Sequence, residues 1–183
     1  MGNSKKKFSH PILLLQNIEN RSRSKASGLP QQEKARDEWR GIGFRVDDYR
    51  LIAPLGQVVE ILTLPALSRV PGAKDWVVGI ANVRGNLLPI MDLNGYLHGK
   101  ATDVKKRSRV LVLNYQGVFS GLLVDEVMGM RRFLVETRRV APDSTDLAIK
   151  PYIEHIYEHH DGQWMVFSMH KLSESPLFLQ VAS

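Results

Sequence analysis

His155, Glu158 and His159 lie in the run H-I-Y-E-H at residues 155–159, which matches the H-x-x-E-H pattern of a class of zinc peptidases. That chemistry needs a helix, so that both imidazoles fall on one face about one turn apart. The Asp161-Gly162 step directly afterwards has hairpin chemistry, which makes residues 152–159 a strand and residues 164–169 its partner. Residues four apart in a strand share a face but lie roughly 13 Å apart, too far to grip one ion. A zinc-dependent hydrolase built on His155, Glu158 and His159 is the enzyme alternative, and the strand argues against it. Asp125-Glu126 follows an apolar run and could be a carboxyl of raised pKa, but no second acid, nucleophile or histidine stands near it at a recognisable spacing. A strand-ending acid satisfied by backbone N–H groups is expected there. The G-I-G at residues 41–43 has Val46 where a dinucleotide loop needs its third glycine, and Ser120 lacks a G-x-S-x-G frame. No catalytic residue, metal site or cofactor is predicted.

The elements that could position such groups are bounded by composition. A chain of 183 residues suits one domain or two small lobes, and that length buries roughly 70% of its unfolded surface. It has no cysteine, which excludes disulfides, a thiolate nucleophile and Cys-type zinc sites and fits a cytoplasmic location. The net charge of +6 is dispersed over residues 5–7, 21–25, 105–109, 131–132 and 138–139, without interleaved aromatics. No nucleic-acid partner is expected from that pattern. The apolar run after the lysines at 5–7 is only residues 12–15 long, and Lys6 spoils a myristoylation site. Nothing approaches the ~20 apolar residues of a membrane span, so direct insertion is not expected.

One stretch organises the chain: residues 76–93, two apolar runs flanking the polar island from Asn82 to Asn86. Gly85 can take a positive φ, and the Asn82 side chain can bond backbone just beyond it. The runs read as two strands buried on both faces, with Arg84 at the tip as the only cation between Lys74 and Lys100. Residues 58–62 alternate, with Val59 and Ile61 read as the core face and Val58, Glu60 and Leu62 as the other. A carboxylate among aliphatics marks either a guarded sheet edge or a binding surface. Further short strands are expected at 44–46, 49–53, 110–115 and 118–127, and a helical turn near 92–97. Residues 9–25 and 30–39 read as two helices, so a helical extension over 1–38 precedes a mainly β domain over 39–183. That extension either packs on the body or docks a partner.

The segment V-V-G-I-A-N-V-R-G-N-L-L-P-I-M-D-L at residues 77–93 resembles the signature of CheW-like domains, the adaptors of bacterial chemosensory arrays. V-V-E-I-L at 58–62, S-R-V-P at 68–71 and G-L-L-V-D-E-V at 121–127 resemble the family's other motifs in order. The resemblance covers roughly residues 43–172, and the flanks at 39–45 and 166–170, with A-S-G-L-P at 26–30, are more narrowly similar to adaptors of type IV pilus systems. It implies a mainly β fold of two five-stranded SH3-like lobes. It also implies a non-catalytic scaffold coupling a methyl-accepting chemoreceptor to a CheA-like histidine kinase in twitching motility, in the cytoplasm at receptor arrays. Flagellar chemotaxis or another chemosensory output is the alternative. The resemblance assigns Val58 and Glu60 to the surface that meets the kinase's SH3-like regulatory domain. It assigns Asn82, Val83, Arg84 and Gly85 to the receptor tip, where arginine's planar fork can bind a carboxylate and helix-end carbonyls together. One departure stands out: the acid of the family's terminal Asp-Leu-x-x-Leu is missing from F-S-M-H-K-L at 167–172.

Overall fold

Val110, Leu111, Val112 and Leu113 are consecutive and all buried, which a strand achieves only when covered on both faces. Alternation sends Leu111 and Leu113 to one core and Val110 and Val112 to another. The computed structural model describes residues 37–180, and within them this pattern recurs. The strands are β1 (Glu38–Val46), β2 (Tyr49–Pro54), β3 (Glu60–Thr63), β4 (Val77–Val83), β5 (Asn86–Asp92), β6 (Arg109–Tyr115), β7 (Val118–Val124), β8 (Glu126–Leu134), β9 (Arg138–Arg139), β10 (Ile153–His159) and β11 (Gly162–Phe167). Three short α-helices, α1 (Leu93–His98), α2 (Met169–Glu174) and α3 (Pro176–Leu179), accompany them among the described residues, with 3-10 turns at Val135–Thr137 and Lys150–Tyr152.

The strands form two sheets, in the orders β8-β1-β2-β11-β10-β9 and β3-β6-β7-β5-β4. The fold is mainly β, as expected, but one lobe holds six strands because the two-residue β9 pairs onto β10. A central core that includes Phe44, Leu51, Leu111, Leu122 and Phe167 joins the two sheets. Each sheet also curls around a smaller core: Ala81, Leu88, Ile90, Val110, Val112 and Leu123 in one, and Ile52, Phe133, Tyr157, Trp164 and Val166 in the other. In the second sheet the chain after β3 crosses to the far edge. There Ser68 and Ile80 exchange two backbone bonds, each 2.9 Å. Gly79 permits that closure, since a Cβ there would sit 2.7 Å from the Ser68 carbonyl oxygen.

Several expectations change. The helix proposed over 30–39 cannot extend to Trp39, because Glu38 and Trp39 belong to β1, paired with Leu134 and Phe133. The good helix formers there yield to a Trp39 side chain packed on the aromatic core. The rest of the proposed N-terminal extension lies outside the described residues. Strand β8, which breaks the apolar alternation with Gly129, Arg131 and Arg132, was not foreseen as a separate strand. Hairpin strand β4 is an edge strand, so only Gly79 and Ala81 are buried and the two-faced burial holds for β5 alone. The missing acid at 167–172 has a substitute: the Ser168 hydroxyl caps α2 by accepting from the Lys171 N–H at 3.3 Å.

Candidate functional site

The β4–β5 connection is a two-residue turn in which Arg84 (φ 53) and Gly85 (φ 87) both take the left-handed conformation. That is the type I′ geometry whose twist suits a tight hairpin. The Asn82 Oδ1 accepts from the Gly85 N–H at 2.8 Å and holds the turn closed. Gln116-Gly117 repeats the same backbone shape, so the conformation of Arg84 is turn chemistry rather than a mark of function. What distinguishes Arg84 is its partner. Its Nη2 donates to the Glu60 Oε1 at 2.5 Å.

Glu60 opens β3, the opposite edge strand of the same sheet, and the curl of the sheet brings the two edges together. The structure therefore brings Glu60 together with Arg84, and the turn that Asn82 and Gly85 close, into one polar corner, whereas Val58 and Val83 pack against the cores. The Arg84 side chain is 76% exposed and that of Glu60 28% exposed. A pair so open to water contributes roughly 0.5 kcal/mol to folding. Its geometry orients groups more than it stabilises the lobe.

The two faces of β3 are the reverse of those expected. Val58 packs on the central core and Leu62 on the small core, whereas Val59 and Ile61 are 61% and 40% exposed. Alternation fixes which residues share a face but not which face turns inward. Glu60 shares that side with Val58 and Leu62 but keeps partial contact with solvent and pairs with Arg84. Leu87, next to the turn, is also 69% exposed. The corner therefore combines an ion pair with exposed aliphatic side chains. At the other end of the same hairpin, a cleft of about 630 Å³ is lined by residues that include Arg69, Lys74, Asp92, Thr102 and Val104.

The H-x-x-E-H residues do not converge. They lie on β10, where alternation puts Glu158 on the face opposite His155 and His159. His155 is buried among Trp39 and Tyr157, and neither of its ring nitrogens has a hydrogen-bond partner. Burial, and secondarily the charge of Arg138, lowers its pKa, while Glu154 opposes the shift. The unfolded chain thus takes up this proton more readily than the folded one. Its contribution is intact above about pH 6.5, the ordinary histidine value, and is lost as pH falls below it. Comparing Tm at pH 5 and pH 7.5 should show His155→Leu losing less on acidification than the wild type, and gaining about 1 kcal/mol at pH 7.5. The Asp125 carboxylate behaves as expected, accepting from the Asp47 N–H at 2.6 Å, with Arg45 beside it.

The CheW-like domain family matches residues 40–176, and the chain belongs to that family of non-catalytic scaffolds. Such adaptors bind chemoreceptors and the kinase CheA. The chain is 45% identical to Protein PilI of Pseudomonas aeruginosa over 172 residues, covering 94% of this chain and 96% of that protein. It is 32% identical to Protein FrzA of Myxococcus xanthus over 56% of this chain and 64% of that one. Its fold matches the crystal structure of the scaffolding protein TtCheW from Thermoanaerobacter tengcongensis with a TM-score of 0.64, at 19% identity, covering 75% of this chain and 89% of that one. Among the described residues no helix is long and apolar enough to cross a membrane.

Proposed function

We propose that this chain is the adaptor of a type IV pilus chemosensory system, coupling the cytoplasmic tip of a chemoreceptor to a CheA-like histidine kinase in twitching motility. The near full-length likeness to Protein PilI favours that pathway. The residues before β1 act in this reading as an extension to the CheW-like domain, and the adaptor works in the cytoplasm beside receptor arrays. One observation carries the docking: Val59, just before the edge strand β3, and Ile61 within it turn to solvent beside the Glu60–Arg84 pair. An apolar pair on an open edge, flanked by a carboxylate, suits the kinase's SH3-like regulatory domain. Val58 supports that surface from beneath, through its packing on the central core. Arg84, at the tip of a rigid turn, faces the receptor. Receptor state then reaches the kinase through linked binding equilibria, and joining the modules raises their effective concentration.

Calorimetry with the regulatory domain of the same organism's pilus-system kinase tests the reading. A saturable complex is expected for the wild type. Val59→Asp places a charge in the centre of the apolar contact and should weaken that complex at least tenfold. Because Val59 is exposed, its thermal unfolding should be nearly unchanged. Equal binding by the variant and the wild type would remove β3 from the kinase surface.

A further inference from the structure

We propose that the turn joining β10 to β11 is a binding site for a borderline transition-metal dication such as Zn²⁺, held by His159, His160 and Asp161. The site is separate from the adaptor corner and does not depend on the function proposed for it. One donor atom from each of the three residues lies within 4.8 Å of the others. The two imidazole rings are 4.0 Å apart between centroids, and His159 Nδ1 is 2.6 Å from Asp161 Oδ1. Two imidazoles and a carboxylate form a donor set suited to zinc, nickel or copper rather than to magnesium or calcium, which prefer oxygen.

Two of the three side chains are held in place by their neighbours. The His159 ring meets the face of Phe133 edge-on, with centroids 5.4 Å apart. Asp161 Oδ1 accepts from the Nε1–H of the fully buried Trp164 at 2.9 Å, an outer-shell bond that orients the carboxylate. The Arg50 guanidinium donates to the Asp161 carbonyl and ties the turn to β2. His159 and Asp161 exchange their mutual hydrogen bond for the ion, with a small separation of the two donor atoms, and the exposed His160 side chain rotates onto it. The set shares His159 with the H-x-x-E-H pattern but draws its other ligands from the turn, because neighbouring turn residues can converge where residues along a strand cannot. Three protein ligands leave positions for water, and the nearby Arg50 charge opposes the ion, so affinity in the micromolar range follows rather than that of a closed structural site.

Tag-free full-length protein titrated with Zn²⁺ by calorimetry at pH 7.5 is expected to bind one ion per chain and to gain Tm in its presence. His160→Ala is expected to weaken Zn²⁺ at least tenfold and to abolish the Tm gain, with its metal-free Tm unchanged. His170→Ala, a histidine stacked on Tyr115 outside the cluster, should bind Zn²⁺ as the wild type does. Absence of saturable binding up to millimolar Zn²⁺, or undiminished binding in His160→Ala, would overturn the proposal.

Discussion

Asp92→Ala is expected to destabilise the protein by about 3 kcal/mol, because one buried carboxylate holds both a helix start and a returning loop. Asp92 ends β5 and caps α1, and it is buried. Its Oδ1 accepts from the Asn94 N–H at 3.0 Å, the Gly95 N–H at 3.1 Å and the Thr102 hydroxyl at 2.7 Å. Its Oδ2 accepts from the Thr102 N–H at 2.6 Å. Alanine would remove a helix cap worth ~1 kcal/mol and strand buried donors at a cost of about 1–3 kcal/mol each. For a domain of this size that is a drop in Tm of roughly 6–12 °C, measurable by calorimetry or circular dichroism. Asp92→Asn keeps an acceptor for the cap but turns an amide N–H towards the Thr102 N–H, so it should recover about half the loss. Full recovery by asparagine would mean that the Thr102 contact contributes little.

Asp92 also shows where the sequence was legible and where it was not. The helical turn near 92–97 could be read from an acid before Leu93 and a glycine after His98. The bond to Thr102 could not be read, because it depends on where the loop returns after α1. The hairpin strands, the tight turn at Gly85 and the strand pair around Asp161-Gly162 were legible, since each follows from apolar periodicity and local turn chemistry. The inward face of β3 was not, because period-2 alternation has two solutions and tertiary closure chooses between them. Strand β8 escaped because its pairing with β1, from Glu38 opposite Leu134 to Arg45 opposite Glu126, spans about half the chain and includes a bulge in which Met128 is the extra residue opposite the Gly43–Phe44 step. The link between Glu60 and Arg84 was hidden for the same reason. The two residues sit on opposite edges of a sheet, and only its curl brings them into contact.

That contact sets the second expected result. Arg84→Glu should weaken binding to the receptor tip at least tenfold, because a guanidinium fork is replaced by a carboxylate facing Glu60. Two like charges at the corner should swing the turn away from β3, so kinase binding, read on the same preparation, should fall by a smaller factor of about two to five, on the order of 0.4–1 kcal/mol. Glu60→Arg opposes two guanidinium groups and should weaken kinase binding directly. The reversed pair, Glu60→Arg with Arg84→Glu, restores an ion pair across the corner, and folding stability should return to within roughly 0.5 kcal/mol of the wild type. Receptor binding should stay weak in the reversed pair if Arg84 touches the receptor, since the partner's carboxylates would then face a glutamate. Recovery of receptor binding would instead assign Arg84 a positioning role, with the shape of the turn, and not its charge, recognised by the receptor.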